Sequence, residues 1–293
     1  MPFHQLVIQL EQGELARVED ACRRLGAIAI SLADAGDEPL LEPAPGETPL
    51  WQSVRLRALF EASANPQLAA ATLAVVLGVP ASAIGVERLE DRAWEREWLK
   101  DFRPMRFGRR LWVAPAGQAP DAPAPVLLEL DPGLAFGTGT HATTALCLEW
   151  LDGRIRGGER ILDYGCGSGI LALAALKLGA GAACAFDIDP QALTATRENA
   201  EKNALASRVA IAGKPEAVIG PFDLVLANIL AGPLIELAPG LAALARAGGE
   251  IALAGMLARQ AGEVAQAYAP WFDIAPESER EGWALLAGRR RAE

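Results

Sequence analysis

The hydrophobic and polar positions at the start of the chain follow two different periods. In four segments apolar residues alternate with polar ones or form short runs, and this pattern predicts strands. In two further segments apolar residues recur three and four positions apart, which predicts helices. The predicted strands are 3–10, 27–32, 51–60 and 84–89, and the predicted helices are 13–25 and 66–77. Their order, βαββαβ, is the ferredoxin-like α+β arrangement.

The later part of the chain alternates short apolar runs with helical stretches. Seven such runs separated by helices predict an α/β domain with a Rossmann-like, mostly parallel sheet. The predicted strands are 161–163, 183–187, 209–211, 222–228, 251–256, 272–276 and 283–288. We expect the last two strands to form an antiparallel pair that is reversed relative to the others.

Residues 94–110 differ from both parts, because they contain six basic residues against three acidic ones. Two interpretations stay open. The segment is either a solvated connecting helix, in which Trp94 and Trp98 pack one turn apart, or a lever whose Phe-Gly end reaches the active site. We expect a ferredoxin-like domain over 1–92, a linker helix and strand over 93–114, and the α/β domain over 115–293.

Three glycines at alternate positions follow an apolar run and an acid. The stretch reads Ile-Leu-Asp-Tyr-Gly-Cys-Gly-Ser-Gly over 161–169, and an Ala/Leu run with helical spacing follows it. Glycine lets a backbone pass close to a ligand and take the dihedral angles of such a turn. This strand, turn and helix therefore predict a binding site.

A second buried strand ends in Asp187, 22 positions after Gly165. An acid about 20 residues after a glycine turn is placed to bind the ribose hydroxyls of a nucleotide-like cofactor. The dinucleotide fingerprint G-x-G-x-x-G would put its third glycine where this chain has Ile170. The third glycine is instead Gly169. The order Asp163, Gly165, Gly167, Gly169 resembles the first motif of the class I S-adenosyl-L-methionine (SAM) methyltransferases, and this resemblance implies SAM rather than NAD.

Composition narrows the functional classes further. With 51% hydrophobic and 22% charged residues the chain is globular, and a net charge of −10 argues against general nucleic-acid binding while suiting a basic partner. Four cysteines and two histidines form no disulfide or metal-ligand pattern, so we expect no metal site. Without a signal-peptide pattern or a membrane-spanning apolar run, we expect a cytoplasmic protein that makes no membrane contact.

Four sequence blocks together are similar to one enzyme family. They are Leu-Asp-Pro-Gly-Leu-Ala-Phe-Gly-Thr-Gly-Thr-His at 130–141, Asp-Tyr-Gly-Cys-Gly-Ser-Gly-Ile-Leu at 163–171, Asp-Ile-Asp-Pro at 187–190 and Ala-Asn-Ile-Leu-Ala-Gly-Pro-Leu at 227–234. These blocks resemble the PrmA family, the methyltransferases of large-subunit ribosomal protein L11, within the class I SAM-dependent methyltransferases. The likeness covers the chain from about Trp94 to the end and, more loosely, the residues before it.

The resemblance implies both a fold and an activity. A class I SAM-dependent methyltransferase domain would follow a small ferredoxin-like domain that recognises the ribosomal protein. The implied reaction is methyl transfer from SAM to the α-amine and lysine ε-amines of ribosomal protein L11, free before ribosome assembly and without direct nucleic-acid contact. The alternatives are a SAM-dependent methyltransferase for another protein or RNA acceptor, a catalytically silent binding module, and an NAD oxidoreductase.

Matching the motifs residue by residue places the site in this chain. The expected SAM contacts and their neighbours are Phe107, Thr138, Gly139, His141, Thr144, Gly165, Gly167, Asp187 and Asn228. For catalysis we expect the side-chain oxygen of Asn228 and the backbone carbonyl of Ile229 to accept hydrogen bonds from the amine, which aims its lone pair at the methyl group. A desolvated pocket lowers the cost of deprotonating the amine, so no general base is required.

Other polar residues near these motifs have alternative roles. Asp163 either holds amides of the glycine turn or contacts the cofactor's ammonium group, and Glu216 either meets the adenine region or caps a helix. Thr140 is predicted to cap the helix after the glycine-rich loop, and His141 to form hydrogen bonds in that loop rather than act as a base. Cys166 fits the turn as a small side chain, and we assign it no chemistry.

Overall fold

The computed structural model describes residues 3–36, 49–89, 103–123, 125–131 and 139–292. Contacts divide the chain into two compact units, Met1–Trp94 and Glu95–Glu293. The predicted linker helix around Trp94 and Trp98 lies outside the described residues, as does Thr138 of the glycine-rich loop.

The first unit has the predicted βαββαβ order. Its elements are β1 (Phe3–Glu11), α1 (Leu15–Arg24), β2 (Ala29–Asp34), β3 (Ser53–Glu61), α2 (Pro66–Leu77) and β4 (Gly85–Leu89). The sheet order is β2-β3-β1-β4, and every neighbouring pair is antiparallel. Alternate residues of the two central strands, such as Leu6 and Leu56, are fully buried beneath the two helices. This is the ferredoxin-like fold.

Helix α2 shows how the local sequence sets its ends. The side chain of Asn65 accepts the amide of Leu68 at 3.0 Å, Pro66 occupies the first turn, and Gly78 ends the helix in the left-handed conformation. These are the residue types that suit a helix start and stop, because they satisfy free amides or tolerate positive φ.

The second unit contains a seven-stranded sheet. Its strands are β8 (Arg160–Tyr164), β9 (Ala182–Phe186), β10 (Val209–Ala212), β11 (Phe222–Asn228), β12 (Ala245–Leu257), β13 (Phe272–Arg280) and β14 (Trp283–Arg290). The strand order is β10-β9-β8-β11-β12-β14-β13. The predicted seven strands and their order in the chain are confirmed.

The expected antiparallel pairing of the last two strands is confirmed, but the expectation that both are reversed relative to the rest of the sheet is wrong. Strand β14 is antiparallel to both β12 and β13, so β13 runs in the same direction as the parallel strands and only β14 is reversed. A hairpin makes its two strands antiparallel to each other but leaves open which of them lies next to the rest of the sheet. Here the second strand of the hairpin, β14, inserts between β12 and β13.

Helices cover both faces of the seven-stranded sheet. They are α3 (Ala142–Arg154), α4 (Ile170–Leu178), α5 (Pro190–Lys202), α6 (Ala231–Glu236), α7 (Ala238–Leu244) and α8 (Ala261–Tyr268). Buried residues of α3 and α4 form one apolar core with the sheet, and those of α6, α7 and α8 form a second core. A parallel sheet needs this double cover, because its strands are apolar on both faces.

A small three-stranded sheet precedes the large one in the chain. It consists of β5 (Met105–Phe107), β6 (Leu111–Ala114) and β7 (Val126–Glu129), in the order β5-β6-β7. Its buried residues Leu111, Val113 and Leu128 join the core formed with α3 and α4. A linker strand is predicted here from the sequence, but β7 is not, because runs of three or four residues are too short to show a period.

No helix in the described ranges is both long and apolar enough to cross a membrane. In the same ranges no group of three or more histidine, cysteine or acidic side chains is placed to share a metal ion.

Candidate active site

The carboxyl ends of β8, β9 and β11 lie side by side. Tyr164 at the end of β8 pairs with Phe186 of β9 on one side and with Ala227 of β11 on the other. The glycine turn, Asp187 and Asn228 come directly after or at these ends, so the structure brings them together at one edge of the sheet. This is the edge at which parallel sheets bind ligands.

The glycine turn folds back against the end of β9. Gly165, Gly167 and Gly169 all have positive φ, of 81°, 54° and 79°, where a side chain would strain the backbone. The amides of Gly165 and Cys166 both donate to the carbonyl of Phe186, at 2.8 and 2.9 Å, and the amide of Gly169 donates to the carbonyl of Cys166 at 2.8 Å. The turn therefore uses most of its amides within the protein.

Asp187 is bonded directly to that turn. Its Oδ2 accepts the amide of Gly167 at 2.9 Å, and its Oδ1 accepts the amide of Asp189 at 3.0 Å. The side chain is half-buried, and each carboxylate oxygen can accept a second hydrogen bond. Asp187 is thus held rigidly in place while it still has capacity to bind the hydroxyls of a ligand.

Asp163 is a buried acid behind the turn, with 1% of its surface exposed. Its Oδ2 accepts the amide of Ala172 in the first turns of α4 at 3.0 Å, and its Oδ1 has no partner among the described residues. Burial raises the pKa of Asp163 to about 7, and the nearby Asp187 adds to the rise while the Ala172 amide opposes it. The observed contact is structural, but it goes to the helix that follows the glycine turn and not to an amide of the turn itself.

Asn228 lies at the end of β11, facing α3. Its Nδ2 donates to Oγ1 of Thr144 at 3.3 Å, and Thr144 is 4% exposed. This bond uses one of the two N–H groups of the amide and directs Oδ1, a hydrogen-bond acceptor, away from Thr144. The two predicted site residues therefore act as one unit, although 84 positions separate them.

Ile229, the residue after Asn228, packs onto the glycine turn. A Cβ atom on Gly165 would overlap Cγ2 of Ile229, so this approach is open only to glycine. The amide of Ile229 donates to the carbonyl of Ala254 in β12 at 3.1 Å. Ile229 thus connects the glycine turn with β12, the next strand of the sheet.

The end of the glycine-rich loop and the small sheet meet at the start of α4. A Cβ atom on Gly139 would lie 3.2 Å from Phe107 and 3.5 Å from Ile170, and Phe107 is 4% exposed. Phe107 and Gly139 therefore lie beside the glycine turn, which is the neighbourhood that the motif comparison implied for them. Thr138 is outside the described residues.

The predicted cap of α3 is corrected by one position. His141, not Thr140, is the N-cap residue, because its Nδ1 accepts the amide of Thr143 at 3.4 Å and lies 2.8 Å from the Thr143 hydroxyl. The His141 ring also packs edge-on against Trp283, with centroids 4.9 Å apart. His141 thus has the expected hydrogen-bonding role.

Two other side chains have plain structural settings. Glu216 is the middle residue of a short 3-10 turn, Pro215–Ala217, and is exposed, so it does not cap a helix. Cys166 is buried with its Sγ 3.4 Å from Oγ1 of Thr196, and burial raises the pKa of its thiol. A neutral, enclosed thiol fits the absence of any assigned chemistry.

Polar side chains form a row on the buried side of α5, and their role was not predicted from the sequence. Thr196 donates to the carbonyl of Gly167 at 3.0 Å, and Asn199 donates to the carbonyl of Ser168 at 3.0 Å. Thr196 and Asn199 are fully buried. They bind two carbonyl groups of the glycine turn and so fix the turn from the side of α5.

The same row also holds the root of the glycine-rich loop. Oδ1 of Asn199 accepts the amide of Asp131 at 2.9 Å, and Asn203 bonds both the amide and the carbonyl of Glu129 at 3.0 and 2.6 Å. Asn199 therefore bridges the loop root and the glycine turn. The signal in the sequence is the spacing of Thr196, Asn199 and Asn203, which places polar groups on one buried helix face.

A second buried anchor positions Phe107. Asp152 of α3 accepts the amides of Arg109 and Arg110 at 2.7 and 3.2 Å, and a Cβ atom on Gly108 would lie 2.8 Å from its Cγ. This contact fastens the β5–β6 turn, and with it Phe107, to the helix that carries Thr144. No motif in the sequence points to Asp152.

Comparison with known proteins agrees with this architecture. The family model described as ribosomal protein L11 methyltransferase (PrmA) matches residues 2–291. Ribosomal protein L11 methyltransferases of Pseudomonas paraeruginosa and Azotobacter vinelandii are 49% and 50% identical to the chain, over 100% and 99% of it and over their own full lengths. The crystal structure of a ribosomal protein L11 methylase from Lactobacillus delbrueckii subsp. bulgaricus has a TM-score of 0.60 and 34% identity, covering 65% of this chain and 100% of that one.

The edge of the sheet thus carries a glycine turn, a paired acid and an oriented asparagine, and the match to one family runs almost from end to end. The chain belongs to the ribosomal protein L11 methyltransferase (PrmA) family.

Proposed function

We propose that this protein transfers methyl groups from SAM to the α-amine and lysine ε-amines of ribosomal protein L11. The observation that carries the proposal is the family match over residues 2–291, together with relatives of that name about 50% identical over their full length. Because identity at this level extends over both units, it supports the same acceptor as well as the same chemistry.

The residues at the sheet edge suit SAM. A dinucleotide needs free turn amides for its pyrophosphate, but here the amides of Gly165, Cys166 and Gly167 all donate within the protein. The half-buried Asp187 keeps acceptor positions for ribose hydroxyls. When bound, SAM supplies an electrophilic methyl group on a sulfonium sulfur.

Asn228 orients the amine that accepts the methyl group. Since Thr144 binds the Nδ2 donor, the Oδ1 atom is the part of the side chain available to an amine N–H. An amine held by such an acceptor presents its remaining lone pair in a fixed direction, and orientation of this kind contributes several kcal/mol to catalysis.

The acceptor must lose a proton before it reacts. A lysine with a pKa about three units above neutral costs about 4 kcal/mol to deprotonate, whereas an α-amine near pKa 8 costs much less. Apolar surroundings lower this cost, because they disfavour the charged ammonium form. His141 is engaged with Thr143, so we assign deprotonation to solvent and to the pocket rather than to a side-chain base.

We assign recognition of L11 to a ferredoxin-like domain over 1–92, joined by a linker over 93–114 to the methyltransferase domain over 115–293. The described residues of the sheet-edge site all lie in the second unit, which leaves the first unit available for the acceptor protein. We place the reaction in the cytoplasm, on L11 that is not yet part of a ribosome and without contact to nucleic acid. Hydrogen–deuterium exchange with added L11 should show protection in the first unit, and its absence there would refute this assignment.

The decisive experiment uses labelled SAM and a mixture of free ribosomal proteins. Mass spectrometry should find methyl groups on L11, at its α-amine and lysines, and none on other proteins or on added ribosomal RNA. Methyl groups on a different protein or on RNA would support the alternative acceptor, and SAM binding without transfer would support a silent binding module. If this protein bound NAD but not SAM, the cofactor assignment would be overturned.

A further inference from the structure

Strand β12 is irregular where it passes the acceptor side of the site. Its register with β14 shifts between Leu253 and Met256, and Gly255 within this shift has φ of +92°. A β-bulge of this kind bends a strand locally and is common next to active sites. The bulge therefore marks a place where the backbone departs from the regular ladder.

The bulge lies directly against the peptide that follows Asn228. A Cβ atom on Gly255 would lie 2.7 Å from the carbonyl carbon of Ile229 and 2.9 Å from its nitrogen, and closer still to its oxygen. These are backbone atoms, so no change of rotamer can relieve the overlap. Only a residue without a side chain lets the Ile229 peptide occupy its place.

Gly165 makes the matching contact on the other side. A side chain there would overlap Cγ2 of Ile229, so Ile229 is enclosed between two glycines. Its side chain contacts Gly165 of the glycine turn, and its backbone contacts Gly255 of β12. The hydrogen bond that the Ile229 amide donates to the Ala254 carbonyl at 3.1 Å completes this enclosure.

We propose that Gly255 is a positioning residue for methyl transfer, which acts by holding the Ile229 peptide and hence the direction of the Ile229 carbonyl and the Asn228 side chain. The inference rests on the proposed function. To reach ordinary contact distances of about 3.5–4.0 Å, the Ile229 peptide would have to move by about 1 Å if Gly255 carried a methyl group. A displacement of about 1 Å at a reacting centre can lower the rate about 100-fold.

Cofactor binding should change much less than kcat, although the Ile229 side chain touches Gly165 of the glycine turn. Gly167 and Asp187 are bonded to each other, and they follow β8 and β9, which are separated from β12 by β11 in the sheet. A Gly255→Ala substitution therefore separates two effects. The affinity for SAM should stay within about 3-fold of wild type while kcat for L11 falls about 100-fold.

Gly248 in the same strand offers a matched control. It also has positive φ, of +67°, but its nearest neighbours would be the guanidinium ends of Arg289 and Arg246, at 3.6 and 3.8 Å. Gly248→Ala thus carries the same kind of backbone strain without a backbone clash. It should keep kcat within about 3-fold of wild type, and its loss of thermal stability should be smaller because it reflects the backbone strain alone.

The test measures kcat and KM for L11, the affinity for SAM, and thermal unfolding on the full-length protein. If folded Gly255→Ala keeps wild-type kcat, or loses kcat and SAM affinity in parallel, the inference is overturned. Should that variant fail to fold, Ile229→Ala decides: kcat must fall at least 10-fold while the affinity for SAM falls much less, and an unchanged kcat overturns the inference. If wild-type protein methylates no L11, the proposed function fails and the inference fails with it.

Discussion

The two sides of the site are held together in different ways. On the cofactor side, hydrogen bonds hold a turn: Asp187 accepts the Gly167 amide, and residues of α5 bind the turn carbonyls. On the acceptor side, Asn228 has one hydrogen bond to Thr144, and the neighbouring Ile229 is held by close contact with glycines. The cofactor side comes largely from one βαβ unit, whereas the acceptor side combines four distant segments. Cofactor binding should therefore tolerate changes that abolish transfer.

The largest effect is expected from Asn228→Ala. Removing the acceptor oxygen from the amine should lower kcat about 10²- to 10³-fold, the size found when one positioned polar group is removed from an active site. SAM affinity should change much less, because Asp187 and the turn keep their bonds. Steady-state kinetics with L11 and calorimetry with SAM measure the two quantities. A parallel fall in both would break the proposed division between the two sides.

The buried acid of the cofactor side should make stability depend on pH. The folded pKa of Asp163 is about 7 against 3.8 for the ordinary group, so the folded state binds the proton more tightly. Its contribution to stability is complete below pH 3.8, declines as the pH rises to 7, and is constant above that. Asp163→Asn, which is always neutral, should gain about 3 kcal/mol over wild type between pH 5 and pH 8.

Urea unfolding of both proteins at the two pH values measures that gain. All other carboxylates contribute equally to wild type and variant, so the difference isolates Asp163. If the unfolding free energies of wild type and Asp163→Asn changed in parallel with pH, Asp163 would be ionised in the folded protein. The acceptor side is a useful reference, since Asn228 and Thr144 do not titrate.

A smaller effect is expected from Asp187→Ala. Loss of a charged hydrogen-bonding partner for the ligand should weaken SAM binding by about 10- to 100-fold, or about 1.5–3 kcal/mol. Saturating SAM should restore much of kcat, in contrast to Asn228→Ala. Asp189→Ala is the matched control, because the exposed Asp189 only caps α5 through the Gln191 amide. The control should lose about 1 kcal/mol of stability and keep its SAM affinity.

The smallest effect should follow from Thr196→Val. Valine keeps the shape that packs against Gly169 but loses the hydroxyl bond to the Gly167 carbonyl. We expect a loss of about 1 kcal/mol in unfolding free energy and a modest loss of SAM affinity. Thr194→Val removes an exposed hydroxyl bond on the same helix and should be nearly neutral. Equal losses for both variants would argue against a role of Thr196 in the turn.

Sequence patterns predicted most of the regular elements and the place of the glycine turn and Asp187 in them. The βαββαβ order, the seven strands, α4 after the glycine turn and the position of Asp187 at the end of β9 are all visible as local periods or spacings. Short strands such as β7 and the one-residue shift of the α3 cap from Thr140 to His141 were not visible. In these places only a few residues determine the strand or the helix boundary, and contacts with neighbouring parts of the fold outweigh the local preference of the sequence.

What the sequence determined by itself is the type and order of the elements and the identity of the glycine turn with its acid, because hydrophobic period, turn residues and spacing act over a few tens of residues. Tertiary structure alone decided that Thr144 orients Asn228, that Asn199 bridges two loops, and that Gly255 borders Ile229. Each of these contacts joins segments whose distance is set by strand order and register. A single sequence does not display that order, because many registers satisfy the same hydrophobic pattern until the whole core is packed.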